Sequence, residues 1–160
     1  MSAIFSFPNP VNEKAARVVA GTVMLLSILA LATSSYWLLA VLAYGFVARA
    51  VSGPTLSPLA RLASGLVAPR LGPARPVAGP PKRFAQAIGA TLSTAGAVAA
   101  LAFGAHTLAD ALLVALIAAA GLESVFALCL GCRLFAVLMR LGVVPVRVCI
   151  ECADIRSRPV

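Results

Sequence analysis

Residues 84–128 read FAQAIGATLSTAGAVAALAFGAHTLADALLVALIAAAGLESVFAL. Two long apolar runs, 84–104 and 108–128, flank the short break Ala105-His106-Thr107. A helix needs about 20 apolar residues to cross the hydrocarbon core of a bilayer. Each run has that length, and Asp110 and Glu123 are the only ionised side chains in them. The abundance of Ala, Leu, Val and Gly favours helices over the alternating pattern of a membrane barrel. In the first run Gly89, Ser93 and Ala97 recur every four residues, and Gly96, Ala100 and Gly104 do the same on another face. Small residues at this spacing let helix backbones approach closely, so this helix is expected at the centre of a bundle. Thr107 is a candidate N-cap for the second run, and Asp110 is expected to serve that helix's N-terminus.

Working outward, two more apolar runs precede these, at 15–33 and 36–51, separated by Ser34-Ser35. Tyr36 and Trp37 open the second, and such aromatics favour the membrane–water interface. Residues 36–51 are short for a span, and a tight helical hairpin with 15–33 is expected. Residues 1–12 contain no Lys or Arg, and no cleavage signal follows the first run, so that run is expected to remain as a membrane helix. Asn9-Pro10 is an expected helix start. Phe5 and Phe7 belong to the headgroup region or to a frayed tail. Residues 52–82 are rich in Pro and Gly, basic and free of acids, and read as a loop. Within it, 58–71 could form a surface helix with Leu59, Leu62, Leu66 and Val67 on the membrane side.

Composition agrees with this class. The 160-residue chain is 61% hydrophobic and 11% charged, against about 25% charged in a soluble domain. Its net charge of +8 does not indicate nucleic acid, because the cations flank apolar runs and never interleave with aromatics. Lys14 and Arg17 precede the first run; Arg49, Arg61, Arg70, Arg75, Lys82 and Arg83 lie at or between the second and third; Arg133, Arg140, Arg147, Arg156 and Arg158 follow the fourth. The other two turns have none. Since positive loops stay cytoplasmic, the expected fold is an all-α polytopic membrane protein. It has four transmembrane helices and both termini cytoplasmic. The expected organisation is a four-span unit over 1–128 and a cytoplasmic-side segment over 129–160.

That last segment holds every cysteine of the chain, as two Cys-x-x-Cys pairs: Cys129 with Cys132, and Cys149 with Cys152. Three readings compete. A Cys-x-x-Cys pair can close a disulfide and exchange it, and Arg133 and Arg147 would favour the thiolates. A helix starting at Cys129 would add to this, whereas a helix ending there would oppose it. Alternatively, the spacing suits a tetrathiolate zinc site formed by Cys129, Cys132, Cys149 and Cys152. In the third reading the cysteines are small buried apolar residues. Geometry permits the pairs to meet, with Gly142 ending a helix and Pro145 favouring an extended return. Glu123, an acid inside a span, is a functional candidate as a proton carrier or as a structural ion pair with an Arg such as Arg133. His106 has no second His with which to build a site. No phosphate-binding Gly-rich loop and no hydrolytic constellation is present.

Three motifs together, Phe7-Pro8-Asn9-Pro10-Val11-Asn12, Pro80-Pro81-Lys82-Arg83-Phe84-Ala85-Gln86 and the cysteine segment 129–154, resemble the bacterial membrane family called domain of unknown function 4395. The resemblance implies a small multi-span protein of the bacterial inner membrane with no assigned activity. It also implies thioredoxin-like or sulfurtransferase proteins as partners. The leading expectation is therefore a membrane thiol-redox or sulfur-handling component that exchanges with a soluble thiol protein. The alternative is a noncatalytic scaffold around structural zinc. A transporter built on Glu123 ranks third, for want of an internal repeat or paired broken helices.

Overall fold

A computed structural model describes residues 7–145. Helices α1 (Glu13–Thr33), α2 (Trp37–Ser52), α4 (Gly79–Phe103) and α5 (His106–Phe126) form an up-and-down bundle, with a short α3 (Pro58–Leu62) in the long loop and α6 (Leu130–Arg140) after the last turn. Of these, α1, α4 and α5 are long and apolar enough to cross a membrane, and α2 is a shorter apolar helix. At 1.5 Å per residue α2 is about 24 Å long, below the ~30 Å of a bilayer core. The protein is thus an all-α polytopic membrane protein with three membrane-spanning helices and a shorter apolar one. Its only strands among the described residues, β1 (Val11–Asn12) and β2 (Pro76–Val77), pair antiparallel over two residues.

Packing follows the small residues. The α4 helix lies mainly against α2 and α5, with α1 mainly against α5. A side chain at Gly89 would overlap the Phe46 ring of α2, and one at Gly96 would press more mildly on Leu39, at 3.3 Å. Ser93 donates to the Gly89 carbonyl at 2.6 Å and is fully buried. The central position expected for this helix is therefore observed, except that Gly104 belongs to no packing face. It is the left-handed C-cap of α4 at φ 65°. The expected α1–α2 hairpin turn forms at Ser34, but α2 leans on α4 more than on α1. The large side chains that remain exposed, among them Leu25, Leu29, Val41, Val98 and Val114, form the outward surface of the apolar helices.

Several local expectations are corrected. The first helix starts after Asn12, whose Oδ1 accepts from the Lys14 N–H at 3.1 Å, and not at Asn9-Pro10. The Asn9 side chain instead accepts from the Gly79 N–H at the start of α4. The α5 N-cap is Ala105, with no capping side chain, so Thr107 does not fill that role. In the long loop, α3 continues through a wide π turn at Ala63–Val67 and a 3-10 turn at Ala68–Leu71. Its buried face consists of Ala60, Ala63 and Ala68, while Leu62 and Leu66 point outward. Small side chains allow this segment to sit close to α1. The helical course expected for 58–71 is present, with Leu62 and Leu66 exposed as a membrane-side pair would be and Leu59 packed on the core instead.

Candidate functional site

The site forms where α1 and α4 begin and α2 and α5 end. An antiparallel bundle brings these four helix ends together, although they are far apart in sequence. Arg17 of α1 donates from Nε to the Ser124 carbonyl and from Nη2 to the Val125 carbonyl, both at 3.0 Å. These are unpaired carbonyls at the C-terminus of α5, where a cation is also favoured by the helix dipole. The last turn of α5 closes with Ala127 in the left-handed conformation at φ 56°. The chain then turns away from α5 into α6, which packs mainly on α4.

That break between helices answers the question of helix polarity at the first cysteine pair. Cys129 is the N-cap of α6, with extended backbone (φ −84°, ψ 106°), and its Sγ accepts from the Cys132 N–H at 3.3 Å. The pair therefore sits at the start of a helix, on the side where the dipole favours a thiolate. The Cys129 thiol is held below its ordinary range, first by a hydrogen bond from the Cys132 thiol, with further help from Lys82 and from the backbone N–H; burial and Glu123 oppose this. Cys132 is pushed up in return, by that same hydrogen bond, by burial and by the neighbouring Cys129 sulfur. Cys129 is buried and Cys132 half-buried, and both are free thiols.

Gly131, between the two cysteines, fixes α6 in place. A Cβ there would lie 2.5 Å from the Ala85 Cβ and 2.6 Å from its Cα, so the backbones meet at a point only glycine permits. One turn on, Phe135 is buried against Phe84, with ring centroids 5.5 Å apart. The cysteine motif thus packs on the Lys82-to-Gln86 motif. The Asn9–Gly79 bond and the β1–β2 pair bring the N-terminal motif to the same end.

Next to the thiols lies a buried ion pair. Glu123 of α5 bonds Lys82 of α4, with the two side chains 14% and 9% exposed. Glu123 is therefore paired, as one of its two expected roles required, but with Lys82 and not with an Arg such as Arg133. Antiparallel α4 and α5 place the start of one beside the end of the other, and sequence separation hid this. Arg49, read from the sequence only as a flanking charge, is also inside. It is 5% exposed, donates from Nε to Gln86 Oε1 at 2.8 Å and stacks on Phe46 at 4.7 Å. Its Nη2 is buried without a hydrogen-bond partner among the described residues. The signal that could have found it is the Phe46/Arg49 spacing in the last turn of an otherwise apolar helix. A cavity of about 390 Å³ joins these groups and is lined by Arg49, Gln86, Glu123 and Cys129 among mostly apolar side chains.

The zinc expectation is overturned. Among the described residues no group of three or more His, Cys, Asp or Glu is gathered that could hold a metal ion. The Cys129 sulfur is occupied as a helix cap, and Glu123 is taken by Lys82. Cys149 and Cys152 lie outside the described residues. Asp110 and His106 are at the opposite end of the bundle. There Asp110 accepts from the Tyr36 hydroxyl at 3.1 Å, instead of serving its helix terminus, and His106 stacks on Tyr36 at 4.7 Å.

Residues 11–140 match the family described as Domain of unknown function (DUF4395), and the chain belongs to that family. No curated protein and no solved structure matches it.

Proposed function

We propose that this DUF4395 member is a thiol-redox or sulfur-handling component of the bacterial inner membrane, exchanging with a soluble thioredoxin-like or sulfurtransferase protein. The observation that carries the reading is Cys129 at the start of α6, its sulfur accepting the Cys132 N–H. A cysteine in this position is the more nucleophilic of its pair when its thiolate is favoured. The Cys129 thiolate attacks a sulfur of the partner's disulfide, forming a mixed disulfide and releasing one partner thiolate. Cys132, once deprotonated, then attacks the Cys129 sulfur. This closes the Cys129–Cys132 disulfide and releases the second partner thiolate. Two electrons pass from the chain to the partner, and the reverse sequence reduces the chain. Cys149 and Cys152 are proposed as a second exchanging pair. Lys82 is proposed as the charged support of the Cys129 thiolate, and Glu123, which opposes that thiolate, as the candidate proton carrier.

In this reading α2 crosses the membrane as a fourth, short span. Residues 1–128 form the spanning unit, 129–160 lie on the cytoplasmic side, and both termini are cytoplasmic. The support is the distribution of Lys and Arg over the loops. The experiment is trapping of a mixed disulfide. With Cys132→Ser, Cys129 should hold a thioredoxin-like protein in a covalent adduct that reductant releases. With Cys129→Ser the adduct should disappear. An adduct that persists without Cys129, Cys149 and Cys152 would sink the proposal.

A further inference from the structure

The 390 Å³ cavity adjoins a second, of about 210 Å³, and Ala16, Val19, Arg49 and Gln86 line both. The charges around them do not balance. Arg49 and Lys82 are two cations, and Glu123, already bonded to Lys82, is the only carboxylate among the described residues that lines either cavity. The bonded partner of Arg49 is the neutral amide of Gln86, and its Nη2 is left without a partner among the described residues. A guanidinium 95% removed from solvent by its 5% exposure, with an unused donor, is costly unless an anion or acceptor completes it. The remaining lining is mostly apolar, with Val23, Ile88, Leu92 and Leu116 in the larger cavity and Asn12 and Ser64 as polar side chains in the smaller.

We infer that this cavity binds a single-tailed amphiphile with an anionic oxygen head group, the head on Arg49 and the tail along the apolar lining. Each half of the site excludes a simpler occupant. A small inorganic anion would pair with Arg49 and leave the apolar walls uncovered. A neutral lipid tail would cover the walls and leave Arg49 unpaired. Guanidinium groups bind carboxylate and phosphate oxygens with charge-assisted hydrogen bonds. The head could therefore be the carboxylate of a free fatty acid or the phosphate monoester of a lysolipid. The inference uses none of the cysteine chemistry and stands or falls apart from the proposed thiol exchange.

The test is binding to the delipidated full chain in neutral maltoside micelles, read by native mass spectrometry. The probes are oleate, lysophosphatidate, methyl oleate and inorganic phosphate. One oleate or one lysophosphatidate per chain is expected, with neither methyl oleate nor phosphate retained; the tighter of the two anions identifies the source. Arg49→Gln should weaken anion binding by about tenfold or more, as loss of one charge-assisted hydrogen bond implies. Arg61→Gln, exposed on α3, should leave it unchanged. Should Arg49→Gln fail to fold, Ala119→Leu fills the larger cavity with the charge intact, and should lower oleate binding with helix content retained. Methyl oleate held as tightly as oleate, or no retention of either anion, would overturn the inference. So would equal binding in a folded Arg49→Gln protein.

Discussion

At one end of the bundle Arg17, Arg49, Lys82 and Glu123 meet from four different helices, enclosed or bonded across the interface. At the other end Tyr36, His106 and Asp110 meet through one ring stack and one hydrogen bond near the turns. The same apolar helices supply both ends, so the class of helix does not distinguish them. The difference lies in desolvation. A charge taken out of water must find its partner inside the protein, whereas a group near the surface can fall back on solvent. The first end therefore makes each partner indispensable and places the thiols beside them. The second tolerates change.

The comparison can be broken most directly at the ion pair. Glu123→Gln leaves Lys82 buried without its counter-ion and should cost about 3–5 kcal/mol, the range for removing one member of a buried pair. Denaturant unfolding in micelles measures this, and the double change with Lys82→Met should recover part of the loss. A loss no larger in the single than in the double variant would show that the pair is not the constraint. The next effect is at Gly131→Ala, where the new Cβ meets the backbone and side chain of Ala85. A cost of about 1–3 kcal/mol is expected for such overpacking, with α6 displaced and Cys129 more accessible to alkylation.

A pH experiment sharpens the contrast within the site. The Cys129 thiol is lowered, foremost by the hydrogen bond from Cys132, and the Cys132 thiol is raised. Thiolate on Cys129 thus persists at a pH where an ordinary thiol is protonated, and is lost only as pH falls through its lowered pKa. Alkylation at neutral pH by a small reagent, followed by peptide mapping, should label Cys129 first, more than about tenfold ahead of Cys132, since each pKa unit is a factor of ten in thiolate. Equal labelling, or Cys132 first, would reverse the proposed roles. The smallest change is expected at the opposite end. Tyr36→Phe removes the bond to Asp110 and should leave the melting midpoint and thiol labelling close to those of the unaltered chain. A shift as large as that of Glu123→Gln would erase the distinction between the ends.

How much of this was legible in the sequence depends on the range of the interaction. Apolar runs report their own helices, because a helix satisfies its backbone within one segment. The four long helices accordingly fall close to the expected runs. Glycine and serine spacing marked α4 as central for the same local reason. Cap positions were less legible: Asn12 and Ala105 took the places expected near Asn9 and Thr107, since the chain's exit angle and tertiary contacts choose among adjacent candidates. The leucine pattern of 58–71 was legible for Leu62 and Leu66, which are exposed, and not for Leu59, which packs on the core because the approach of α1 decides that face.

The sequence by itself determined the membrane class, the helix count within one short span, the clustering of cations and the cysteine spacing. Each of these rests on composition or local periodicity. Tertiary structure alone decided that Lys82, and not an Arg, meets Glu123, that Arg49 is enclosed, and that Cys129 begins a helix instead of ending one. Those outcomes depend on which helix ends become neighbours and on the left-handed turn at Ala127 that ends α5 before Cys129. A buried charge is neutralised by whatever lies nearest in space, and nearness in space is what a linear pattern does not carry.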